Sequence, residues 1–368
     1  MAVIGKKDLF LQEEQTYFQK FLARNGEEYG LRFGSPKDAN AISMMFKEIY
    51  GYKYINPLVY DVDYIKQDLV KPNNFWLVGE LIDTKEIAGV GLIEKKRYIA
   101  HSSKGMTRKK FQGKGVTTKI GAAGLISITK MPQFKEVLKI DTEVRGPEVR
   151  AQKLNQNAGA INYGLIPAYI NFGDKRHFKA NDNTPYPPKQ EEAAFMYSII
   201  FKNLWRIRDK EVYLIDDDDL LFFYNHVKSQ CKKMNYDNLV IKKGKKNKGY
   251  ELYGVSKDYY NGLVNLYGNI QEKSLVNLLK TYRKWRIILW KVPVTQNGIH
   301  SMALALEKGF NVVGYDVGFN NMNWKLFDSV IFAYYPIGAR SQVFDVNYLE
   351  ENKPLFNKVR EIFFSRIN

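Results

Sequence analysis

Cysteine is almost missing: Cys231 is the single one in 368 residues. One thiol can form neither an internal disulfide nor a thiolate metal cluster. A disulfide scaffold is therefore excluded, and a reducing, cytoplasmic setting is expected. No window approaches the roughly 18 uncharged apolar residues of a membrane-spanning helix, so no membrane partner is expected. The opening MAVIGKKDLFLQEEQ lacks the apolar core of a secretory leader, so no export signal is expected. The four histidines, His101, His177, His226 and His300, show no metal-ligand spacing, and no metal is expected. Neither a Gly-x-x-x-x-Gly-Lys-[Ser/Thr] loop nor a Gly-x-Gly-x-x-Gly turn occurs. Helix-turn-helix, zinc-finger and aromatic RNA-platform signatures are lacking as well.

What is present can build a core: 45% of the residues are hydrophobic and 14% aromatic. At roughly 150 residues per domain, the length suggests two domains. The net charge is +17, which points to an anionic partner. It is shared almost evenly, +10 over 1–207 and +7 over 208–368, so neither half is a basic tail. One stretch differs. Residues 95–135 hold eleven basic side chains and no acidic one, with glycines among them. A solvated lysine face and an anion site both fit that composition.

Apolar spacing over 9–24 predicts a leading helix. Ser35 with Pro36 starts a helix from about 38 to 50. Residues 74–81 and 86–97 read as adjacent strands joined by a turn at Asp83 and Thr84. A helix rich in small residues follows over 114–131, then a strand over 136–143, a helix over 149–160, and strands over 161–173 and 192–202. The pattern restarts near 206–219. There Asp216, Asp217, Asp218 and Asp219 read as the cap and first turn of a new helix. Strand 286–292, helix 297–308, Gly309 and the strand carrying Val313 and Gly314 repeat the order of strand 136–143, helix 147–158, Gly159 and the strand carrying Tyr163 and Gly164. This is a weak internal duplication at domain scale. The expected fold is α/β in the α+β sense: a mixed, mostly antiparallel sheet flanked by helices, in two tandem domains, 1–207 and 208–368.

The sharpest motif is Phe111-Gln112-Gly113-Lys114-Gly115-Val116-Thr117, after a strand and at the start of a helix. Glycines let backbone N–H groups approach an anion, and a helix N-terminus adds unpaired donors and the positive end of its dipole. A diphosphate suits such a site. Arg108, Lys109, Lys110 and Lys119 flank it.

At these residues the chain resembles the GNAT superfamily of acyl-CoA N-acyltransferases, whose diphosphate loop reads Gln/Arg-x-x-Gly-x-Gly/Ala. Gln112 and Gly115 match the first and fourth positions, Val116 is typical of the fifth, and Thr117 departs at the sixth. Downstream, Arg150-Ala151-Gln152-Lys153-Leu154 leading to Gly159 and Ala160 is similar to the family's Arg-Ala-x-x-Leu segment. The resemblance spans about 30–202. The second half resembles only the closing part of such a domain and lacks the loop, so it reads as a degenerate copy.

The resemblance implies direct attack of a primary amine on acetyl-CoA, or another acyl-CoA, without an acyl-enzyme. It places the thioester carbonyl near the backbone of Met106 and Thr107. It implies a base at Glu94, whose alternative is a surface carboxylate paired with lysine. By period two, Asp141 and Glu143 share a strand face. They either accept the amine and relay its proton or are ordinary solvent-facing residues. The family's tyrosine acid falls here on Asn155, which cannot donate the proton; water, Tyr163 or Tyr169 would substitute. A non-catalytic acyl-CoA-binding module is the alternative. Nucleic acid, suggested by the Lys/aromatic mixtures of 242–253 and 280–290, is disfavoured as a partner. The acceptor is a small-molecule or peptide amine, and a homodimer is left open.

Overall fold

The computed structural model describes residues 17–179, 181, 190–233, 240–243, 250–322, 325–336 and 345–365. Contacts divide the chain into two compact units. One is Met1–Glu143 with Asn157–Gly159 and Asp174–Arg176; the other is Val144–Gln156, Ala160–Gly173 and His177–Asn368.

The first unit holds β1 (Gln19–Leu22), β2 (Glu28–Phe33), helix α1 (Ala39–Tyr50), helix α2 (Val62–Val70), β3 (Asn74–Leu81), β4 (Ile87–Lys96) and β5 (Ile99–Thr107). A helical run, α3, follows: an α turn Val116–Thr118, a π turn Lys119–Ala123 and an α segment Gly124–Thr129. Strand β6 (Lys139–Arg145) begins in this unit. Strands neighbour each other in the order β1 to β6, antiparallel throughout except for β5 with β6.

Strand alternation sorts the side chains onto two faces. Trp76, Val78, Val90 and Leu92 pack with Ile42, Met45 and Phe46 of α1 and with Ile65 and Leu69 of α2. Burying each large apolar side chain contributes about 1.5–3 kcal/mol. On the other face, Leu31 and Ala88 meet Phe111, Val116 and Ile120. Here α3 lies so close that a Cβ at Gly79 or Gly89 would collide with Ile120. Buried Arg32 ties β2 to β3 and to the start of α1. Its Nη1 donates to Asp38 Oδ2 (2.8 Å) and its Nη2 to Glu80 Oε2 (2.6 Å). The planar guanidinium fork serves both carboxylates at once.

The expected leading helix over 9–24 is not what forms. Residues 9–16 lie outside the described residues, and Gln19–Leu22 is a strand paired with Glu28–Leu31 of β2. Phe21 is buried while Lys20 and Leu22 are exposed. The alternation of a β edge therefore overrides the helical spacing. Helix α2 has no counterpart among the expected elements. Asp61 caps it, its Oδ1 accepting from the N–H of Asp63 (2.9 Å) and Tyr64 (3.2 Å).

The second unit contains α4 (Val149–Asn157, all but its last residue), β7 (Ile161–Phe172), β8 (Gln190–Ile200), α5 (Lys202–Ile207), β9 (Glu211–Leu214), α6 (Asp218–Lys233) and β10 (Val240–Lys243). It continues with β11 (Leu252–Asp258), β12 (Leu263–Asn269), α7 (Glu272–Thr281), β13 (Ile287–Pro293), α8 (Gly298–Glu307), β14 (Asn311–Met322), β15 (Lys325–Tyr334) and α9 (Lys353–Ser365). Its strands run β8-β7-β14-β15-β13-β12-β11, antiparallel except β12 with β13, and β9 pairs separately with β10. Asp217 caps α6 as expected, accepting from the N–H of Asp219 and Leu220 at 3.0 Å each. Together the strands and helices form a mainly antiparallel, helix-flanked α/β fold.

Strands β7 and β14 are irregular at matching places. Strand β7 is bulged between Asn162 and Gly164 and between Ile166 and Ile170; β14 is bulged between Val312 and Gly314 and between Asp316 and Asn320. Each irregularity recurs 150 residues on, since 314 − 164 = 150. The left-handed residues keep that offset: Gly159 (φ +79°) with Gly309 (φ +83°), and Ala168 (φ +52°) with Gly318 (φ +64°). Gly164 and Gly314 face each other directly. A Cβ on Gly164 would lie 2.6 Å from Val313 O, so the strands approach this closely only because both residues lack one.

Candidate functional site

The loop between β5 and α3 has the backbone that its glycines foretold. Gly113 (φ +79°) and Gly115 (φ +84°) are both left-handed, where any other L-residue is strained. Gln112 is tied back to the end of β5, its Nε2 donating to Thr107 O (3.0 Å). Val116 is fully buried and anchors the first turn of α3. The side chain of Thr117 lies outside what the structure describes. The first N–H groups of a helix have no partner within it, and the start of α3 has such groups.

The surrounding charges are more engaged than their sequence suggests. Arg108 pairs with Glu86 (2.8 Å) and Glu48 (3.4 Å), Lys110 with Glu86 (2.6 Å) and Lys114 with Glu27 (3.0 Å). Hydrogen bonds from Tyr29, Asn25 and Lys114 hold the Glu27 carboxyl down at about 2. Arg24 is a cation that the motif does not contain. Its N–H donates to Lys114 O (3.1 Å), and its Nε lies 3.8 Å from where a Gly115 Cβ would sit. Only the β1–β2 connection brings it there, so no local signal marks it.

Upstream of the loop, β5 is bulged. Val90 pairs with Met106 and Leu92 with Ser103, so Gly91 faces two residues, Lys104 and Gly105. Lys104 takes φ +55°, a strained value for a residue with a side chain. A Cβ at Gly91 or at Gly105 would meet nothing within 4 Å, in contrast to the filled space over Gly79 and Gly89. Met106 packs in the α1-side core, and Thr107 is buried beside the loop. The parallel pairing of β5 with β6 covers Ile99–His101 against Lys139–Asp141. In the second unit the parallel β12–β13 pairing runs through five residues, Leu263–Tyr267 against Ile287–Lys291.

Glu94, His101 and Asp141 are cross-strand neighbours in one row of β4, β5 and β6. Glu143 shares the face by period two, as expected, and forms a short hydrogen bond with His101 Nε2. Burial opposes the charged imidazole, but the Glu143 and Asp141 carboxylates outweigh it and raise the His101 pKa above the usual histidine range. Asp141 pairs with buried Lys139 (3.2 Å), and Glu94 with Lys96 (3.1 Å). Sequence reasoning missed His101, because its partner Glu143 is 42 positions away and no spacing rule connects them.

Two other expected residues lie in the second unit. Tyr163 is buried in β7, and Asn155 on α4 donates its Nδ2 to Ala151 O (2.9 Å), satisfying its own helix. Cys231 is buried, and desolvation pushes its thiol up to about 12, so it is no nucleophile. Burial likewise lowers His226 to about 4.

A mainly antiparallel sheet flanked by helices, with a bulged strand running into a left-handed glycine loop and a helix, makes up a mixed α/β fold. Some solved acetyltransferases are similar to about half of the chain. A ribosomal-protein-S5-alanine acetyltransferase from Vibrio fischeri is 14% identical, with 50% of this chain and 98% of that one covered and a TM-score of 0.38. A GNAT-family acetyltransferase from Streptococcus pneumoniae is 12% identical, covering 47% and 99%, with a TM-score of 0.36. A spermidine N-acetyltransferase from Vibrio cholerae, in complex with CoA and spermine, is 14% identical, covering 47% and 95%, with a TM-score of 0.36. No family model and no curated protein matches the sequence. No described helix is long and apolar enough to cross a membrane.

Proposed function

We propose that this protein is an N-acyltransferase that moves an acetyl or other acyl group from acyl-CoA to a primary amine. The observation that carries the reading is the pair of left-handed glycines, Gly113 and Gly115, set between the bulged strand β5 and the start of α3. That backbone turns N–H groups toward a diphosphate, with Gln112, Lys114, Val116 and Thr117 shaping the loop and Arg24, Lys109 and Lys119 adding charge around it. The open space beside Gly91 leaves room for the acyl arm.

Bound acyl-CoA supplies the activated thioester. Backbone at the bulge, near Met106 and Thr107, polarises its carbonyl. His101 removes the amine proton. With Nε2 directed at Glu143, Nδ1 carries the lone pair that receives it, while Glu143 and Asp141 stabilise the resulting imidazolium. Glu94 stands in the same row and contributes negative charge. The amine then attacks directly, and the thiolate is protonated by solvent. The second half, through β14 and β15, is a degenerate tandem copy whose longer β12–β13 pairing keeps the corresponding strands together.

Calorimetry with acetyl-CoA tests this reading: micromolar binding that is lost on changing Gly113 and Gly115 supports it, and no binding at millimolar ligand refutes it. One observation favours a second reading, a non-catalytic acyl-CoA-binding module. Asn155 stands where the family has its acid and is occupied with Ala151. Tight acetyl-CoA binding without thiol release across a broad amine panel would establish that module.

A further inference from the structure

The carboxylates around the β5 bulge are nearly all matched by cations. Asp68 takes Lys71 (2.8 Å), Glu94 takes Lys96 (3.1 Å), Asp141 takes Lys139 (3.2 Å) and Glu143 takes His101. Lys104 is the exception among the cations there. No hydrogen bond or ion pair ties it to another described residue; its Nζ stands 5.5 Å from the centroid of the Trp76 ring. It is half-buried, on the bulge itself, in a left-handed conformation about 1–2 kcal/mol less favourable than its alternatives. The neighbouring Gly105 and Gly91 border open space. Burial lowers its pKa despite the attraction of Asp68 and Glu94.

A strained, half-desolvated cation is a poor structural device, because a surface lysine would be better solvated and an apolar residue would pack better on Trp76. It gains a purpose if a ligand supplies the missing negative charge. We propose that Lys104 binds a carboxylate on the acceptor, so that the amine acylated at this site is an amino acid or a related amino carboxylate. The amine end then lies toward His101, three residues along β5, and the carboxylate over Trp76. The proposal rests on the acyl-transfer reading for its chemistry, but not for its binding test.

That test is calorimetry without cofactor, on the wild type, Lys104→Met and Lys104→Arg. The probes are N-acetylglycine, N-acetyl-L-alanine and N-acetyl-L-phenylalanine, each against its neutral amide. The wild type should bind at least one acid about tenfold tighter than its amide. Lys104→Met should abolish that preference, and Lys104→Arg should retain it. An unfolded Lys104→Met variant leaves the wild-type and Lys104→Arg comparisons standing. No acid preferred in the wild type, or a preference that survives Lys104→Met, overturns the proposal. Steady-state assays with acetyl-CoA form a second arm: kcat/KM for amino acids should exceed that for their amides, with the Lys104→Met loss carried by KM. If acetyl-CoA fails to bind, the acyl-transfer reading falls, while the first arm still decides the carboxylate site.

Discussion

Gly115→Ala isolates the loop backbone from every other property of the site. The added methyl has room, since the nearest atoms, Cγ and Nε of Arg24, lie 3.8 Å away, an ordinary contact. What it disturbs is φ +84°, where an alanine is about 1–2 kcal/mol less favourable. At a surface loop the chain relieves such strain by rotating, which turns the N–H groups away from the anion. Acetyl-CoA must then restore the native backbone on binding, and its Kd should rise by roughly 5–30-fold at 1.4 kcal/mol per decade. Gly113→Ala, with nothing within 4 Å of its Cβ, should act alike. Gly309→Ala is the control. It has φ +83° and equally open space, but it follows α8 in the second half. It should lower Tm by a few degrees and leave acetyl-CoA affinity unchanged. Calorimetry and thermal melts on the three variants decide the matter. Unchanged affinity in Gly113→Ala and Gly115→Ala, or an equal loss in Gly309→Ala, would refute the reasoning.

Other outcomes follow from the same geometry. His101→Ala should lower kcat by about 10²–10⁴-fold with acetyl-CoA affinity intact, measured by thiol release and calorimetry. Because Glu143 raises the His101 pKa, activity should rise through an alkaline-shifted limb, and Glu143→Gln should move that limb to lower pH; an unmoved limb would remove His101 as the base. By linkage, a raised folded pKa means the pair stabilises fully below the usual histidine pKa and loses that contribution as pH climbs through the folded value. Asp328 is fully buried, accepts from Tyr315 Oη (2.6 Å) and Gly318 N (2.9 Å), and pairs with Arg208. Asp328→Ala strands that guanidinium and should destabilise the protein by about 3–5 kcal/mol in denaturant titrations. Gly164→Ala must push β7 from β14 and should lower Tm more than Gly309→Ala does.

Much of the protein could be read along the chain. Helix α1 after Ser35 and Pro36, the strands of 74–81 and 86–97, and the cap at Asp217 depend on nearby residues. So do the left-handed positions of Gly113, Gly115, Gly159 and Gly309, because φ is a local property and glycine adopts positive values freely. The offset of 150 residues between the bulges of β7 and those of β14 emerged only from the strand pairing. Other features depended on strand pairing. Residues 19–22 became an edge because β2 offered a ladder, against their helical spacing. Arg24 reached the loop, Glu143 reached His101, and Lys104 was left without a carboxylate only once the sheet was assembled. The net charge of +17 shows the same division. The sequence by itself determined where the cations lie along the chain. Tertiary structure decided which are neutralised, because ion pairing acts over a few ångströms of space and takes no account of sequence separation.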